Sequence, residues 1–396
     1  MTASLQRFVL VVLTAINAIV APQAPAARAD VLISNLGDGN IVRYNLATGM
    51  LTTFIPKLSG GLDSPVGMRY GADGYLYVSN QNTSQVLRYN GITGAFKDVF
   101  VAANSGGLAA PADLRFGPDN DLFVSSLGGT QVLRFDGTTG ASEGPFTHGT
   151  GELLAQPNVI RFHTDGNLYV SSLGTASVER YNGTTGEYLN SFITPGSGGL
   201  TGATAHAFGP DGNFYIADVL AGDVRRYNGA TGASMGVFAA GPLGSNTFPT
   251  GLMFAPDGFL YVTSQGAASV LKYSYDTTSA TFTNTFIPTG TPPSQTSAGA
   301  QPGLMLLTPI PGDVNADEVV NIFDINGVSS HWGGVGPGGD ANGDGTINIF
   351  DINLISSNWN QTGGGSSTAV PEPATFVLAC GAASTGLVLT LRRRAA

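Results

Sequence analysis

The chain has 396 residues, of which only 11% are charged, with 56 Gly and 22 Pro. This mixture argues against a mainly helical body and predicts short strands joined by tight turns. Residues 30–370 hold 12 Lys and Arg against 26 Asp and Glu, a net charge of −14. That balance argues against nucleic acid as a partner, because phosphate binding needs a basic face.

Residues 1–29 read as an export signal. Arg7 opens a short basic start, Phe8 to Val20 form an apolar run, and Ala27 and Ala29 put small residues at −3 and −1 before Asp30.

From residue 30 the chain repeats. "PVGMRYGADGYLYVSN" begins at 65, "PADLRFGPDNDLFVSS" at 111 and "PNVIRFHTDGNLYVSS" at 157. The matching places at 203 and 249 read "ATAHAFGPDGNFYIAD" and "PTGLMFAPDGFLYVTS", a step of 46 residues each time. A variable stretch follows each block, then "VLRYNGITG", "VLRFDGTTG", "VERYNGTTG" or "VRRYNGATG". Each unit predicts four strands. The first ends in a Pro-Asp-Gly type turn, the second alternates large apolar with small residues, the third ends in Asn-Gly, a hairpin signal, and the fourth carries Phe96, Phe192 or Phe238. Four strands per period of about 40–50 residues predict a propeller blade.

Second strands are expected near 31, 75, 121, 167, 213 and 259, and first strands near 65, 111, 157, 203, 249 and 302. The N-terminal unit lacks a first strand and the chain ends with a spare one, so 302–308 should pair beside 31–34. The expected fold of 30–308 is mainly β, a six-bladed β-propeller. The repeats are similar to those of NHL-type and virginiamycin B lyase-like six-bladed propellers. Such propellers host unrelated activities, so the resemblance implies a fold rather than a reaction.

Two polar rings are expected at the channel mouth. Second strands end at Asn35, Asn80, Ser126, Ser172, Asp218 and Ser264, and first strands begin around Asp113, Asn158 and Thr204, with His206 nearby. Lactonases of this shape use a Glu, an Asn and an Asp on the channel axis, and the lyase relatives rely on His. The catalytic candidates to test are therefore Asp218, His206 and Asp113, with ordinary polar channel lining as the other reading.

After the repeats come two loops 27 residues apart, "GDVNADEVVNIFDIN" at 312 and "GDANGDGTINIFDIN" at 339. Asp313, Asn315, Asp317, Asn321 and Asp324 repeat the spacing of Asp340, Asn342, Asp344, Asn348 and Asp351. Hard oxygen ligands at positions 1, 3, 5, 9 and 12 suit Ca2+, with a backbone carbonyl at position 7 from Val319 and Thr346. The pair, over 309–362, resembles a type I dockerin, which implies a small α-helical calcium-binding domain with two calcium ions and a cohesin-like or other surface protein as partner. The whole is then expected to be mainly β, with this α-helical module after the propeller. The helix-face positions that help contact cohesin in that family fall on Ile322, Phe323, Ile349 and Phe350, where the usual hydroxyl pair is absent.

A Gly/Ser linker at 363–369 leads to "VPEPAT", an apolar span from Ala374 to Leu391 and the Arg392–Arg394 cluster. The span is long enough to cross a bilayer, and the cluster suits its cytoplasmic side. Residues 370–396 resemble a PEP-CTERM sorting signal, which implies cleavage by an exosortase and a cell-surface or extracellular-matrix destination in a Gram-negative-type bacterium. A plain membrane anchor is the other reading. Cys380, the single cysteine, lies in this tail, so the remaining chain must hold together without disulfides. The functional expectation is a binding or scaffold module for a polysaccharide or small ligand. A propeller enzyme (lactonase, lyase or polysaccharide-active) and a purely structural matrix protein are the alternatives.

Overall fold

The computed structural model describes residues 30–308 apart from 47, 118, 151–153, 241–247, 256–257, 277 and 288–300. The signal segment, both calcium loops, the linker and the C-terminal tail lie outside the described residues. The strands run in chain order as β1 (Val31–Asn35), β2 (Asn40–Tyr44) and β3 (Leu51–Ile55), and then as five complete meanders. These are β4 (Pro65–Tyr70), β5 (Tyr75–Asn80), β6 (Gln85–Asn90) and β7 (Phe96–Val101); then β8 (Pro111–Phe116), β9 (Leu122–Ser126), β10 (Val132–Phe135) and β11 (Ser142–Pro145). Next come β12 (Pro157–Phe162), β13 (Asn167–Ser172), β14 (Ser177–Asn182) and β15 (Tyr188–Ile193). The fourth holds β16 (Ala203–Phe208), β17 (Phe214–Asp218), β18 (Asp223–Tyr227) and β19 (Ser234–Ala239). The fifth holds β20 (Pro249–Phe254), β21 (Phe259–Ser264), β22 (Ser269–Tyr275) and β23 (Ala280–Ile287), and β24 (Pro302–Leu307) ends the described chain.

Each meander is an antiparallel sheet in sequence order, and β19 touches β23 in parallel through the single pair Ala239 and Ala280. The spare strand β24 completes the first group, in the order β24-β1-β2-β3, with Val31 opposite Leu307 and Ile33 opposite Met305. The first strands neighbour one another in a cycle, β4 to β8, β12, β16, β20, β24 and back to β4. The fold is a β-propeller.

Its core lies between meanders, because alternation gives each strand two faces, and the inner strands bury both while the fourth strands, such as β7 and β19, are largely exposed. Tyr77 packs with Leu114 and Leu133 of the next unit, and Tyr169 with Phe214 and Ile216. Tyr261, Val270 and Ile287 of the last unit pack on Val31, Ile33 and Val42 of the first. Tyrosine can fill these spaces because its hydroxyl reaches the rim: Tyr77 and Tyr169 donate to Asp73 and Asp165 in the turn before their strand.

The third and fourth strands form the expected hairpin, and a side chain holds its turn. Asn90 Oδ1 accepts the amides of Ile92 and Thr93, and Asp136, Asn182 and Asn228 do the same in their units. The residue with positive φ is the second glycine of the motif, Gly94 at +71°. Gly91 is needed for another reason: a Cβ there would lie 2.3 Å from the Gly74 carbonyl.

Candidate functional site

A repeated hydroxyl knits the first strands together. In each unit the ladder between first and second strand slips near the first strand's third residue, as between Pro65 and Met68. The slip leaves the Gly67 amide without a backbone acceptor, and Ser79 Oγ takes it at 2.7 Å while donating to the Ala112 carbonyl of the next first strand at 2.7 Å. Ser125 does the same between Asp113 N and Asn158 O, and Thr263 donates to Gly303 O. Where the register carries Ala217 instead, Thr204 supplies the hydroxyl, bonded to Ala217 O and Pro249 O. Buried backbone groups must find partners, and this small residue one place before the end of the second strand provides them.

The ring of second-strand ends serves the same purpose. Ser126 and Ser172 each accept an amide and donate to a carbonyl in the loop entering their own first strand, at Ala109 and Ala155. Asn80 holds Asp63 N and Gly61 O, and Asn35 accepts Gln301 N. Asp218 is buried and accepts from Thr201 N, Thr201 Oγ1, Gly202 N and Ala221 N, and pairs with Arg225 Nε at 2.9 Å. Its two oxygens are fully engaged as a loop tie.

Asp113 and His206 stand elsewhere, beside three arginines. Arg69, Arg115 and Arg161 occupy the fifth position of β4, β8 and β12. Arg115 Nε donates to Ile160 O at 3.0 Å and Arg161 Nε to His206 O at 2.7 Å, each reaching the next first strand. Arg69 Nη1 bonds its own neighbour, Met68 O. Asp113, fully buried, accepts Ile160 N at 3.2 Å and lies 3.2 Å from Arg115 Nη2, while its Oδ1 has no hydrogen-bond partner. Burial pushes its carboxyl upward against the pull of Arg69 and Arg161. Burial also lowers both of those guanidiniums, Arg69 to about 10, and Asp113 opposes this; they stay cationic at neutral pH.

His206 is buried beside Phe214, with ring centroids 5.0 Å apart and planes 23° apart, and neither ring nitrogen has a partner. Burial, and then Arg161, hold its pKa well below the usual histidine range. It is a neutral ring in the core. The structure thus brings Asp113 and His206 to the arginine group through Arg161 and leaves Asp218 out of it.

The arginines form one wall of a cavity of about 510 Å³, also lined by Phe116, Phe162, Phe208, Met253, Met305 and Leu306. The fifth position of the first strands is Arg in three consecutive units and then Ala207, Met253 and Leu306 in the other three, so the cavity is basic on one side and apolar on the other. The signal was visible in "PVGMRY", "PADLRF" and "PNVIRF" set against "ATAHAF", "PTGLMF" and "PGLMLL". It is missed when the repeat is read only for what its copies share.

Two other charged groups are structural. The third-strand cation lies over an aromatic ring in every unit, from Arg43 over Phe54 to Lys272 over Phe259. Asp121, Asp136 and Glu143 lie close enough together to share an ion, but Arg134 already pairs with Asp121 and Glu143. The calcium ligands Asp313 to Asp324 and Asp340 to Asp351 are outside the described residues. Among the described residues no helix is long and apolar enough to cross a membrane, and 374–391 is not among them.

No family model matches the chain, and no curated protein matches it. Among solved structures it is similar to a chain in the crystal structure of a nidogen/laminin complex. That match is 16% identical with a TM-score of 0.53, over 71% of this chain and 98% of that one. It is also similar to a catalytically inactive virginiamycin B lyase from Staphylococcus aureus with quinupristin, 13% identical with a TM-score of 0.49, over 72% and 94%. The first is a likeness of fold alone.

Proposed function

We propose that the chain is an exported binding and scaffold protein of the cell surface or extracellular matrix. Residues 30–308 form a six-bladed propeller that holds a ligand, and 309–362 a dockerin-like module that docks a surface partner when loaded with calcium. The six units support the blade count: their first strands neighbour one another in a cycle, and the last unit packs on the first. One ion would be held by Asp340, Asn342, Asp344, Asn348, Asp351 and the Thr346 carbonyl, the other by Asp313, Asn315, Asp317, Asn321, Asp324 and the Val319 carbonyl. Residues 370–396 sort the chain, with an exosortase as the processing partner.

The observation that carries binding over chemistry is the composition of the cavity. Its described lining offers guanidiniums, aromatic rings and aliphatic groups, which can hold a ligand. None of those side chains is a nucleophile or exchanges a proton near neutral pH.

Immobilised protein from residue 30 onward, challenged with surface polysaccharide and surface protein extracts, tests the reading. Saturable capture in calcium, with the protein partner released by chelator and the ligand recovered unchanged, is expected. Recovery of a cleaved or ring-opened product would favour the propeller enzyme instead.

A further inference from the structure

We infer that the cavity between the arginine wall and the methionine wall is a receptor for a small amphiphile, a dianionic head group on a compact apolar body. This rests on the binding reading above and names the ligand class.

Arg115 and Arg161 each use one donor to tie neighbouring first strands, and that tie explains only part of each side chain. A guanidinium has five N–H donors. The Arg115 side chain is only 10% exposed; its Nη2 meets the Asp113 carboxylate as an ion pair at 3.2 Å, and its Nη1 makes no hydrogen bond. Buried donors without acceptors are costly, and three like charges on adjacent strands repel.

Among the described residues Asp113 is the one carboxylate paired with the group, so the described wall keeps a surplus of at least two positive charges whichever state that carboxyl adopts. The fold does not need this surplus. The other three first strands carry Ala207, Met253 and Leu306 at the same register and still join the cycle.

A bound dianion resolves the imbalance. A phosphate monoester carries about −1.5 to −2 charges at neutral pH and offers three acceptor oxygens, and guanidiniums bind such oxygens in pairs. The cavity of about 510 Å³ is within the range of small-molecule sites and larger than a bare phosphate needs. The remaining space faces Met253, Met305 and Leu306, and thioether side chains adapt to irregular apolar shapes. An aryl or alkyl phosphate matches both walls, whereas a neutral glycan leaves the arginines unanswered.

Calorimetric titration of the chain from residue 30 with 2-naphthyl phosphate, 2-naphthol and inorganic phosphate tests the inference. The ester should bind at least tenfold more tightly than either fragment. Arg69→Gln, which spares both inter-strand ties, should weaken the ester at least tenfold, leave 2-naphthol unchanged and keep the melting temperature. If that variant melts early, Met253→Glu on the opposite wall should weaken the ester at least tenfold, and 2-naphthol with it. Equal affinity for ester and naphthol, no heat with any probe, or an ester affinity indifferent to the substitutions would overturn the dianion receptor. Naphthol-type affinity alone would leave the binding reading standing, while fluorescence from naphthol released by the protein would count against that reading as well.

Discussion

At Asp218, Ser126 and Ser172 one register position does one job with different chemistry. All three hold the loop that enters their own first strand, but Asp218 also neutralises Arg225, whose side chain is only 12% exposed. Removing Ser172 Oγ should cost about 1 kcal/mol, the net worth of ordinary hydrogen bonds. Removing the Asp218 carboxylate leaves four loop donors without their acceptor and Arg225 with Asp223 as its remaining carboxylate partner, and should cost about 3–5 kcal/mol. Urea unfolding of Ser172→Ala and Asp218→Ala measures the difference, and equal losses would mean that Asp218 is not the anchor described. His206 gives a second expectation. Its folded pKa is depressed by burial and by Arg161, so its contribution is complete above the unfolded value of about 6.5. It drains away as pH falls from there toward the depressed value, at up to about 1.4 kcal/mol per pH unit. His206→Met, the residue type at the same register as Met68 and Met305, should flatten the stability curve between pH 6.5 and 5. A wild-type slope retained in the variant would assign it to other groups. Neither role was legible in the sequence, where Asp218 and His206 read as candidate catalytic groups. A letter in a repeat gives the register of a side chain but not how many donors close on it.

At the scale of the strand, the repeat was more informative. Its expected first-strand starts at 65, 111, 157, 203, 249 and 302 coincide with β4, β8, β12, β16, β20 and β24, because proline, the aromatic positions and the Asp-Gly turns recur at fixed offsets. Asn-Gly marked the hairpin, and in the structure the Asn side chain holds the following amides while the left-handed residue is the next glycine. The calcium loops offer an element-scale comparison. Position 6 of such a loop turns sharply, which Gly adopts without steric cost. The later loop has Gly345 there and the earlier one Glu318, whose Cβ should cost about 1 kcal/mol in a left-handed conformation. That is roughly a fivefold weaker site, so the 340–351 loop should fill first. In calorimetric titration Asp340→Ala should abolish the tighter event and Asp313→Ala the weaker one. Loss of the weaker event in Asp340→Ala would reverse the order.

For the whole molecule, fold and site meet in the last described strand. Met305, Leu306 and Leu307 of β24 complete the sheet of β1 and line the cavity, so the proposed binding site exists only if the ring is closed by residues 302–307. That closure was legible, since the first unit lacks a strand and the chain supplies one at the far end. The two-sided cavity was not, because it arises from how the copies differ once their first strands lie side by side. Melting of chains 30–300 and 30–308 tests the closure directly. Losing β24 opens an apolar sheet edge and removes the burial of several large side chains, each worth about 1.5–3 kcal/mol. At about 2–4 °C per kcal/mol for a domain of this size, chain 30–300 should melt at least about 10 °C below chain 30–308. Equal melting temperatures would contradict the closed ring and the cavity built on it.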